Sequence, residues 1–439
     1  MLLQFTVKNF KSFRDEAVLS LEASNDKEHD NNIIDDGKDR VLKTVSIFGA
    51  NAAGKTSLFN ALTAAILTIK TSNTRQLGEP IVFIEPYAFR PNAYDEPTEF
   101  EFVFKVDGKK YVYGFSATVK KIITEYLYVY NTARATTIFE RDETDSEVYK
   151  FTVPKIKTEL NPLVDRNTEN KLFLATATAW NSESTRQAAM WLLNMINTYD
   201  TKYENILPLT AAMFENDVDN SMKRFTNNIL READINIADF KYESKDVPVT
   251  STDGNNHLIP IFQDDVSRLS HNEFKINVIP RQIHKYKIDA MHNVKDEKGN
   301  DNLYYLPIDK ESRGTQSLFF MSPILKRAFE SGETVCIDEF DSSLHPLLVD
   351  YLVGLFNNKE INKKDAQLIV SSHTMSLLNL KLLRRDQIYF VEKNQKNACS
   401  ELFSLDEFSP RKSEDIRKAY LQGRYGSIPD IMEGANLWD

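Results

Sequence analysis

Several runs in the amino-terminal third of the chain alternate apolar and polar residues with the period of two that β-strands show. The opening run MLLQFTVKNFKSF and the run AVLSLEA at residues 17–23 both follow this pattern, which predicts an antiparallel hairpin. Further along, aromatic-rich runs predict three more strands of the same sheet, the last two joined by a turn at Asp107 and Gly108. These runs are IVFIEPYAFR, FEFVFKV and KKYVYGFSATV.

The middle of the chain has a different pattern. Within residues 160–245, the runs TRQAAMWLLNMINTY and DNSMKRFTNNILREA space their apolar residues three and four apart, which predicts helices. After about residue 300, strand and helix patterns alternate again, as is typical of an α/β core. We therefore expect an amino-terminal lobe at residues 1–155, an inserted, mainly helical lobe at 156–250 and a carboxy-terminal lobe at 251–439.

Composition narrows the class of protein. The 439 residues are 41% apolar and 27% charged, which predicts a globular chain that buries a sizeable core. The net charge of −10 argues against a broadly basic surface that coats nucleic acid. The chain has two cysteines, Cys336 and Cys399, and its apolar runs are well short of the roughly 20 residues that cross a bilayer. We therefore expect a cytoplasmic protein without membrane contact.

A phosphate-binding loop is predicted at residues 49–56, which read GANAAGKT and match G-x-x-x-x-G-K-[ST]. A β-rich run precedes this loop and a helical pattern follows it, which is the context that the motif requires. Lys55 can reach the β- and γ-phosphate oxygens, and the Thr56 hydroxyl can ligate Mg²⁺. The predicted nucleotide-binding residues are Gly49, Asn51, Ala52, Ala53, Gly54, Lys55, Thr56 and Ser57.

A second strand, TVCIDE at residues 334–339, ends in two adjacent carboxylates. In the pattern of a Walker B strand, Asp338 holds Mg²⁺ and Glu339 orients or deprotonates the attacking water. Two flanking segments strengthen this interpretation: SRGTQ at residues 312–316, and SSH at residues 371–373, where the predicted strand QLIVSS ends.

The order of these motifs resembles that of the ABC ATPase superfamily, in which a signature precedes Walker B, a D-loop follows it and a switch histidine ends the next strand. SRGTQ is similar to the LSGGQ signature, which implies that Ser312 and Gly314, with Gln316 beside them, face ATP held by another copy of the chain. Asp341 takes the D-loop position at that dimer interface, and His373 contacts the γ-phosphate and the catalytic water. The resemblance thus implies ATP and Mg²⁺ as cofactors and a dimer formed around ATP.

With this resemblance, the predicted catalytic residues are Glu339, His373 and Lys55, and the predicted metal ligands are Thr56 and Asp338. A Q-loop glutamine has no counterpart, because residues 84–90 read IEPYAFR. The link between ATP and the helical lobe is therefore left unidentified.

The amino-terminal run NFKSF resembles the start of SMC and RecF proteins, where a basic residue after the first strand lies near the nucleotide, so Lys11 and Ser12 are assigned there. The LHP run with His345 resembles SMC, RecF and OLD-type sequences, in which this histidine either serves the site or shapes the turn before Pro346. Long heptad runs are missing, so SMC coiled-coil arms are not encoded. The predicted fold is an α/β, ABC-type (RecF/SMC-like) ATPase head with an antiparallel β subdomain, a parallel α/β core and the inserted helical lobe.

Over nearly its whole length the chain resembles stand-alone bacterial ATPases of the RloA, AbiLi and PARIS AriA kind. Residues 416–429, IRKAYLQGRYGSIP, are similar to the ending of that group, and they either pack on the core or bind a partner. The resemblance implies an ATPase in anti-phage, abortive-infection defence. Such a protein senses infection, with a phage protein as trigger, assembles as a dimer or larger ring and controls a separately encoded effector.

Three other functions remain as alternatives. A RecF-like or SMC-like DNA repair ATPase would show a basic surface, and Lys and Arg are scattered here, which leaves DNA binding open. A nuclease of the OLD type would carry a Toprim domain, which the run IYFVEKNQ echoes only in part, because Lys393 stands where a glycine is expected. A transporter subunit shares the ATPase motifs, but the aromatic strands and the central insertion fit it poorly.

Overall fold

The computed structural model describes residues 1–199, 201, 203–248, 282–411 and 413–429. It divides into two compact units, the first made of Met1–Tyr199, Phe329–Asp341 and Val349–Asp439, the second of Asp200–Ala328 and Ser342–Leu348. The lobe boundaries predicted near residues 155 and 250 do not coincide with these, and the three-lobe division stays a prediction. Within the described ranges, no helix has both the length and the apolar character that a membrane crossing requires.

The described residues form a mixed α/β structure. The strands are β1 (Leu2–Lys8), β2 (Ala17–Ser20), β3 (Ile33–Asp35), β4 (Arg40–Leu42), β5 (Thr44–Phe48), β6 (Thr98–Val106), β7 (Lys109–Ala117), β8 (Ile122–Tyr130), β9 (Thr136–Asp142), β10 (Tyr149–Lys150), β11 (Ile196–Tyr199), β12 (Asp239–Pro248), β13 (Gln282–Lys295), β14 (Asp301–Pro307), β15 (Thr334–Ile337), β16 (Gln367–Ser371), β17 (Ile388–Lys393) and β18 (Ser400–Ser404). The helices are α1 (Lys55–Thr71), α2 (Pro154–Leu160), α3 (Phe173–Ala179), α4 (Glu183–Asn194), α5 (Tyr203–Glu215), α6 (Ser221–Glu232), α7 (Arg313–Ser331), α8 (Pro346–Asn357) and α9 (Ile416–Leu421).

The first unit contains a seven-stranded antiparallel sheet in the order β10-β9-β8-β7-β6-β1-β2. The predicted hairpin of β1 and β2 is confirmed, and β6 pairs with the other edge of β1, so the sheet is continuous with that hairpin. β6 and β7 meet at the predicted turn, where Asp107 and Gly108 both have positive φ, as a tight hairpin turn requires. Aromatic side chains on one face form part of the core, with the rings of Phe5 and Phe102 5.0 Å apart.

The prediction of a strand at residues 81–90 is wrong, because that segment forms no strand. Its backbone groups instead pair with the turn that follows β1. The Lys11 amide donates to the Glu85 carbonyl at 2.8 Å, and the Tyr87 amide donates to Asn9 Oδ1 at 3.1 Å. Alternating apolar residues here serve burial in a packed loop, since Tyr87 is fully buried.

A six-stranded sheet in the order β11-β15-β16-β5-β17-β18 forms the α/β core of the first unit. All of its neighbouring strands pair in parallel except β17 and β18, which are antiparallel. Every residue of β5, β15 and β16 is buried, as expected for parallel strands covered on both faces. The carboxyl ends of β15, β16, β5 and β17 therefore lie along one edge of the sheet, and this edge carries the candidate site.

The second unit contains an antiparallel sheet in the order β12-β13-β14, with α5, α6 and most of α7. Aromatic rings pack between these elements, with Phe240 4.8 Å from Phe319 and 5.0 Å from Phe214. The segment predicted to be mainly helical holds α2 to α6, but it also holds the strands β11 and β12. Each of these two strands pairs with a partner much later in the sequence, which local spacing does not reveal.

Candidate nucleotide-binding site

The glycine-rich loop joins the carboxyl end of β5 to the amino terminus of α1, where backbone amides and the helix dipole favour an anion. Lys55 begins α1, and its side chain bends back over the loop, where Nζ donates to the carbonyl oxygens of Gly49 at 2.7 Å and Ala50 at 3.2 Å. Burial lowers the pKa of the Lys55 ammonium, and three carboxylates oppose that shift by raising it, those of Asp338, Glu339 and Asp341.

Gly54 is a point at which the loop passes close to other segments of the first unit. Its φ is +122°, and an added Cβ would lie 2.4 Å from Ser400 Oγ and 2.9 Å from Ser12 Oγ. Ser400 fixes the loop from the far side, since its Oγ donates to the Ala53 carbonyl at 2.6 Å and its amide donates to the Ser12 carbonyl at 2.7 Å. Ser12 therefore lies against the loop, and its predicted place beside a nucleotide stays a prediction.

The neighbouring residue, Lys11, has a different environment. Its Nζ lies 3.4 Å from a carboxylate oxygen of Glu85, so its charge faces the packed loop that replaced the predicted strand. The other predicted loop residues differ in exposure: Asn51, Ala52 and Thr56 are exposed, Ser57 is half-buried and Ala53 is buried. Thr56 is thus open to solvent in the first turn of α1.

Asp338 and Glu339 follow β15 directly and are tied together by Ser371, the last residue of β16. The Ser371 hydroxyl donates to Asp338 Oδ1, and the Glu339 amide donates to Ser371 Oγ at 2.7 Å. Glu339 has a positive φ of 51°, and its side chain is exposed. The two carboxylates therefore lie at the same edge of the sheet as the glycine-rich loop. They follow β15 and the loop follows β5, and β16 lies between these two strands.

Asp341 and His373 meet at this edge as well. Asp341 Oδ2 accepts hydrogen bonds from the His373 amide at 2.9 Å and from the Thr374 amide at 2.6 Å. Asp341 Oδ1 is buried without a hydrogen-bond partner among the described residues. The His373 side chain is exposed, and its backbone position is set by Asp341.

The predicted signature residues belong to the second unit. Ser312 precedes α7, and its Oγ accepts from the Thr315 amide at 3.2 Å, which is the geometry of a helix N-cap. Gln316 Nε2 donates to the Glu311 carbonyl at 2.9 Å. Gly314 approaches the segment after Asp341 closely, because an added Cβ would lie 2.7 Å from the Ser343 carbonyl oxygen.

His345 lies two residues beyond Ser343, in the same unit. Its Nδ1 accepts from the Leu347 amide at 3.2 Å, so the ring caps the start of α8. This contact gives His345 a local role at the turn before Pro346.

Ser371 and Ser400 position the carboxylates and the loop. Sequence reasoning quoted Ser371 as the first residue of SSH but gave it no role, and it did not single out Ser400. Ser400 carries no local signal, because its contact with residue 53 joins segments far apart in the chain.

A protein-family model matches the sequence, and no curated protein matches it. The matching family model is described as "AAA domain, putative AbiEii toxin, Type IV TA system". It covers residues 45–154 and 214–379, which together exceed half of the chain and include the glycine-rich loop, SRGTQ, Asp338, Glu339 and His373. The chain therefore belongs to this AAA-domain family.

Proposed function

We propose that the chain is an ATP-binding and ATP-hydrolysing ABC-type ATPase of the SMC and RecF branch. The observation that carries this proposal is the geometry at one sheet edge. Lys55 closes over a glycine-rich loop after β5, while Ser371 at the end of the neighbouring strand β16 holds Asp338 and the Glu339 backbone after β15. A positioned cation beside positioned carboxylates is what phosphoryl transfer asks of a protein.

The loop residues fit a triphosphate on two grounds. The Lys55 ammonium has three donors and uses two on loop carbonyls, which it can exchange for phosphate oxygens. The amides at the start of α1 supply further donors. Thr56 and Asp338 would hold Mg²⁺, which neutralises charge on the phosphates when bound. Glu339 would then orient or deprotonate the attacking water, and His373 would contact the γ-phosphate.

Two copies of the chain complete the proposed site. Ser312 and Gly314 stand at the amino terminus of α7, where the helix dipole favours an anion. In the ABC arrangement they face ATP bound to the other copy, so ATP binding drives dimerisation. The dimer can also be part of a larger ring. Asp341 and Gln316 belong to the same interface.

The biological role that we propose is that of a sensor or regulator in anti-phage, abortive-infection defence, acting with a separately encoded effector. Support comes from the family description, which names a toxin and a type IV toxin–antitoxin system. A toxin–antitoxin pair needs two components, so a protein partner fits this family better than a solitary enzyme.

The test is ATP hydrolysis by the purified chain, with and without its genomic neighbour and with and without duplex DNA. Glu339→Gln should retain ATP and accumulate the dimer in light scattering, whereas Lys55→Ala should lose nucleotide binding. Glu360→Gln and Lys120→Ala, both at exposed positions, are matched controls. Turnover that neither Glu339→Gln nor Lys55→Ala alters rejects the ATPase assignment, and strong stimulation by DNA favours a repair function over defence.

A further inference from the structure

A groove opens beside the glycine-rich loop on the side away from the carboxylates. Its volume is about 790 Å³, within the range of small-molecule sites. Residues 50–53 of the loop form one wall, the turn between β17 and β18 forms a second, and residues 427–429 form a third. The lining is rich in donors and acceptors, including Lys393, Asn394, Gln395 and Glu401.

The third wall belongs to the carboxy-terminal segment, residues 416–429, which docks on the core strand β17. The rings of Tyr420 and Tyr425 stack on Phe390 at 5.4 Å and 5.7 Å, and both tyrosines are buried. The Ser427 amide donates to Glu392 Oε1 at 3.2 Å, and Tyr420 donates to the Ser427 carbonyl at 2.9 Å. These contacts hold the segment against the strand that neighbours β5.

Ser427 also shows an unsatisfied polar group at this wall. The residue is 2% exposed, and its Oγ has no hydrogen-bond partner in the part of the chain that the structure describes. Ser427 is one of several described residues with an unpaired buried hydroxyl, and it is one that also lines the groove.

The order of strands determines which part of a nucleotide would enter the groove. β5 lies between β16 and β17. Asp338, Glu339 and His373 lie on the β16 side, so the reacting γ-phosphate belongs there. The opposite end of a triphosphate bound to the loop therefore points toward β17, where the groove begins.

We infer that this groove binds the nucleoside half of the nucleotide, and that the carboxy-terminal segment is thereby a wall of the nucleotide site. The inference rests on the proposed function, since it assumes that the loop holds the triphosphate. The polar lining provides hydrogen bonds to the base and the ribose hydroxyls. Residues 427–429 thus contact the nucleotide directly, while the rest of the carboxy-terminal segment packs on the core.

The experiment compares ATP with inorganic tripolyphosphate, which has the phosphates but no nucleoside. Binding of each to the full-length protein with Mg²⁺ is measured by calorimetry. Ile428→Trp and Gln395→Trp fill the groove from two different walls, and both native side chains are exposed. Leu421→Trp is the matched control, because Leu421 is 56% exposed in the same segment and does not line the groove.

Both groove variants should bind ATP about tenfold more weakly, while tripolyphosphate binding should change by less than about twofold. Leu421→Trp should alter neither, and Lys55→Ala should lose both. Unchanged ATP affinity in the groove variants, or an equal loss of ATP and tripolyphosphate, overturns the groove assignment alone. A wild-type protein that binds neither compound overturns the proposed function.

A second measurement on the wild-type protein does not depend on how the variants fold. Photo-crosslinking with 8-azido-ATP should label peptides from residues 393–401 or 416–429. Labelling confined to other peptides would contradict the inference even if every tryptophan variant were unstable.

Discussion

The His373 amide donates a hydrogen bond to Asp341 Oδ2 at 2.9 Å, so the residue proposed for the D-loop holds the backbone of the proposed switch histidine within one chain. The Thr374 amide donates to the same oxygen at 2.6 Å. Two amide donors on one carboxylate oxygen fix the turn after β16 relative to the turn after β15. Any movement of Asp341 at a dimer interface would therefore move His373 as well.

Asp341→Ala should lower ATP turnover by about tenfold or more, because hydrogen bonds to a charged acceptor contribute about 1.5–3 kcal/mol each. If Asp341 acts through His373, adding Asp341→Ala to a His373→Ala variant should cause little further loss. Steady-state turnover of the two single variants and the double variant measures this coupling. Fully additive losses would show that Asp341 acts independently, and Asp309→Ala, at an exposed position, is the control.

Ser371→Ala should lower the maximal rate and raise the Mg²⁺ concentration needed for half-maximal activity. The reason is that Ser371 Oγ bonds both Asp338 Oδ1 and the Glu339 amide. Ser46→Ala is a close control, since Ser46 is a buried serine on the adjacent strand β5 whose Oγ has no partner among the described residues. An equal effect of both substitutions on the Mg²⁺ titration would exclude a specific role for Ser371.

Gly54→Ala should destabilise the fold by about 1–3 kcal/mol, since it combines an unfavourable φ with a collision. The new Cβ would lie 2.4 Å from Ser400 Oγ, and the φ of +122° disfavours any side chain. Gly78→Ala separates the two effects, because Gly78 has a φ of +82° and no atom within 4 Å of the added Cβ. In urea unfolding, Gly54→Ala should lower the free energy of unfolding more than Gly78→Ala does. Equal decreases for the two variants would show that the contact with Ser400 does not contribute.

The ion pair of Lys105 with Asp36 and Asp39 should make stability depend on acid pH. Partial burial by itself raises the pKa of Asp36, but the hydrogen bonds from Lys105 and from the backbone outweigh burial and lower this pKa to about 2. A carboxyl whose pKa falls on folding stabilises the fold above its ordinary pKa, near 3.8, and loses that contribution as pH falls toward 2.

Lys105→Met should therefore lower the melting temperature more at pH 6 than at pH 3. Lys120→Met, at an exposed position, should show no such difference. Thermal unfolding of the wild type and the two variants at both pH values tests this linkage. A decrease in the melting temperature of Lys105→Met that is the same at both pH values would refute it.

The sequence alone located most of the candidate site because its motifs are local. Strand, glycine loop and helix are consecutive around Lys55, and an apolar strand leads directly into Asp338 and Glu339. The same reasoning found the hairpin of β1 and β2 and the turn at residues 107 and 108, where alternation and turn residues act over a few positions. It failed at residues 81–90, because apolar alternation does not reveal whether a backbone finds a strand partner or, as here, pairs with the turn at Lys11.

Contacts between distant segments were decided only by the tertiary structure. Three hydrogen bonds at the site each join residues more than 30 positions apart. They link Ser371 to Asp338, His373 to Asp341 and Ser400 to Ala53. The sequence left the carboxy-terminal segment open between packing and partner binding, and the structure places Tyr420 and Tyr425 against Phe390. The spacing of residues along the sequence determines on which face of its own helix or strand a side chain lies. The packing of the whole fold determines which residues that face contacts.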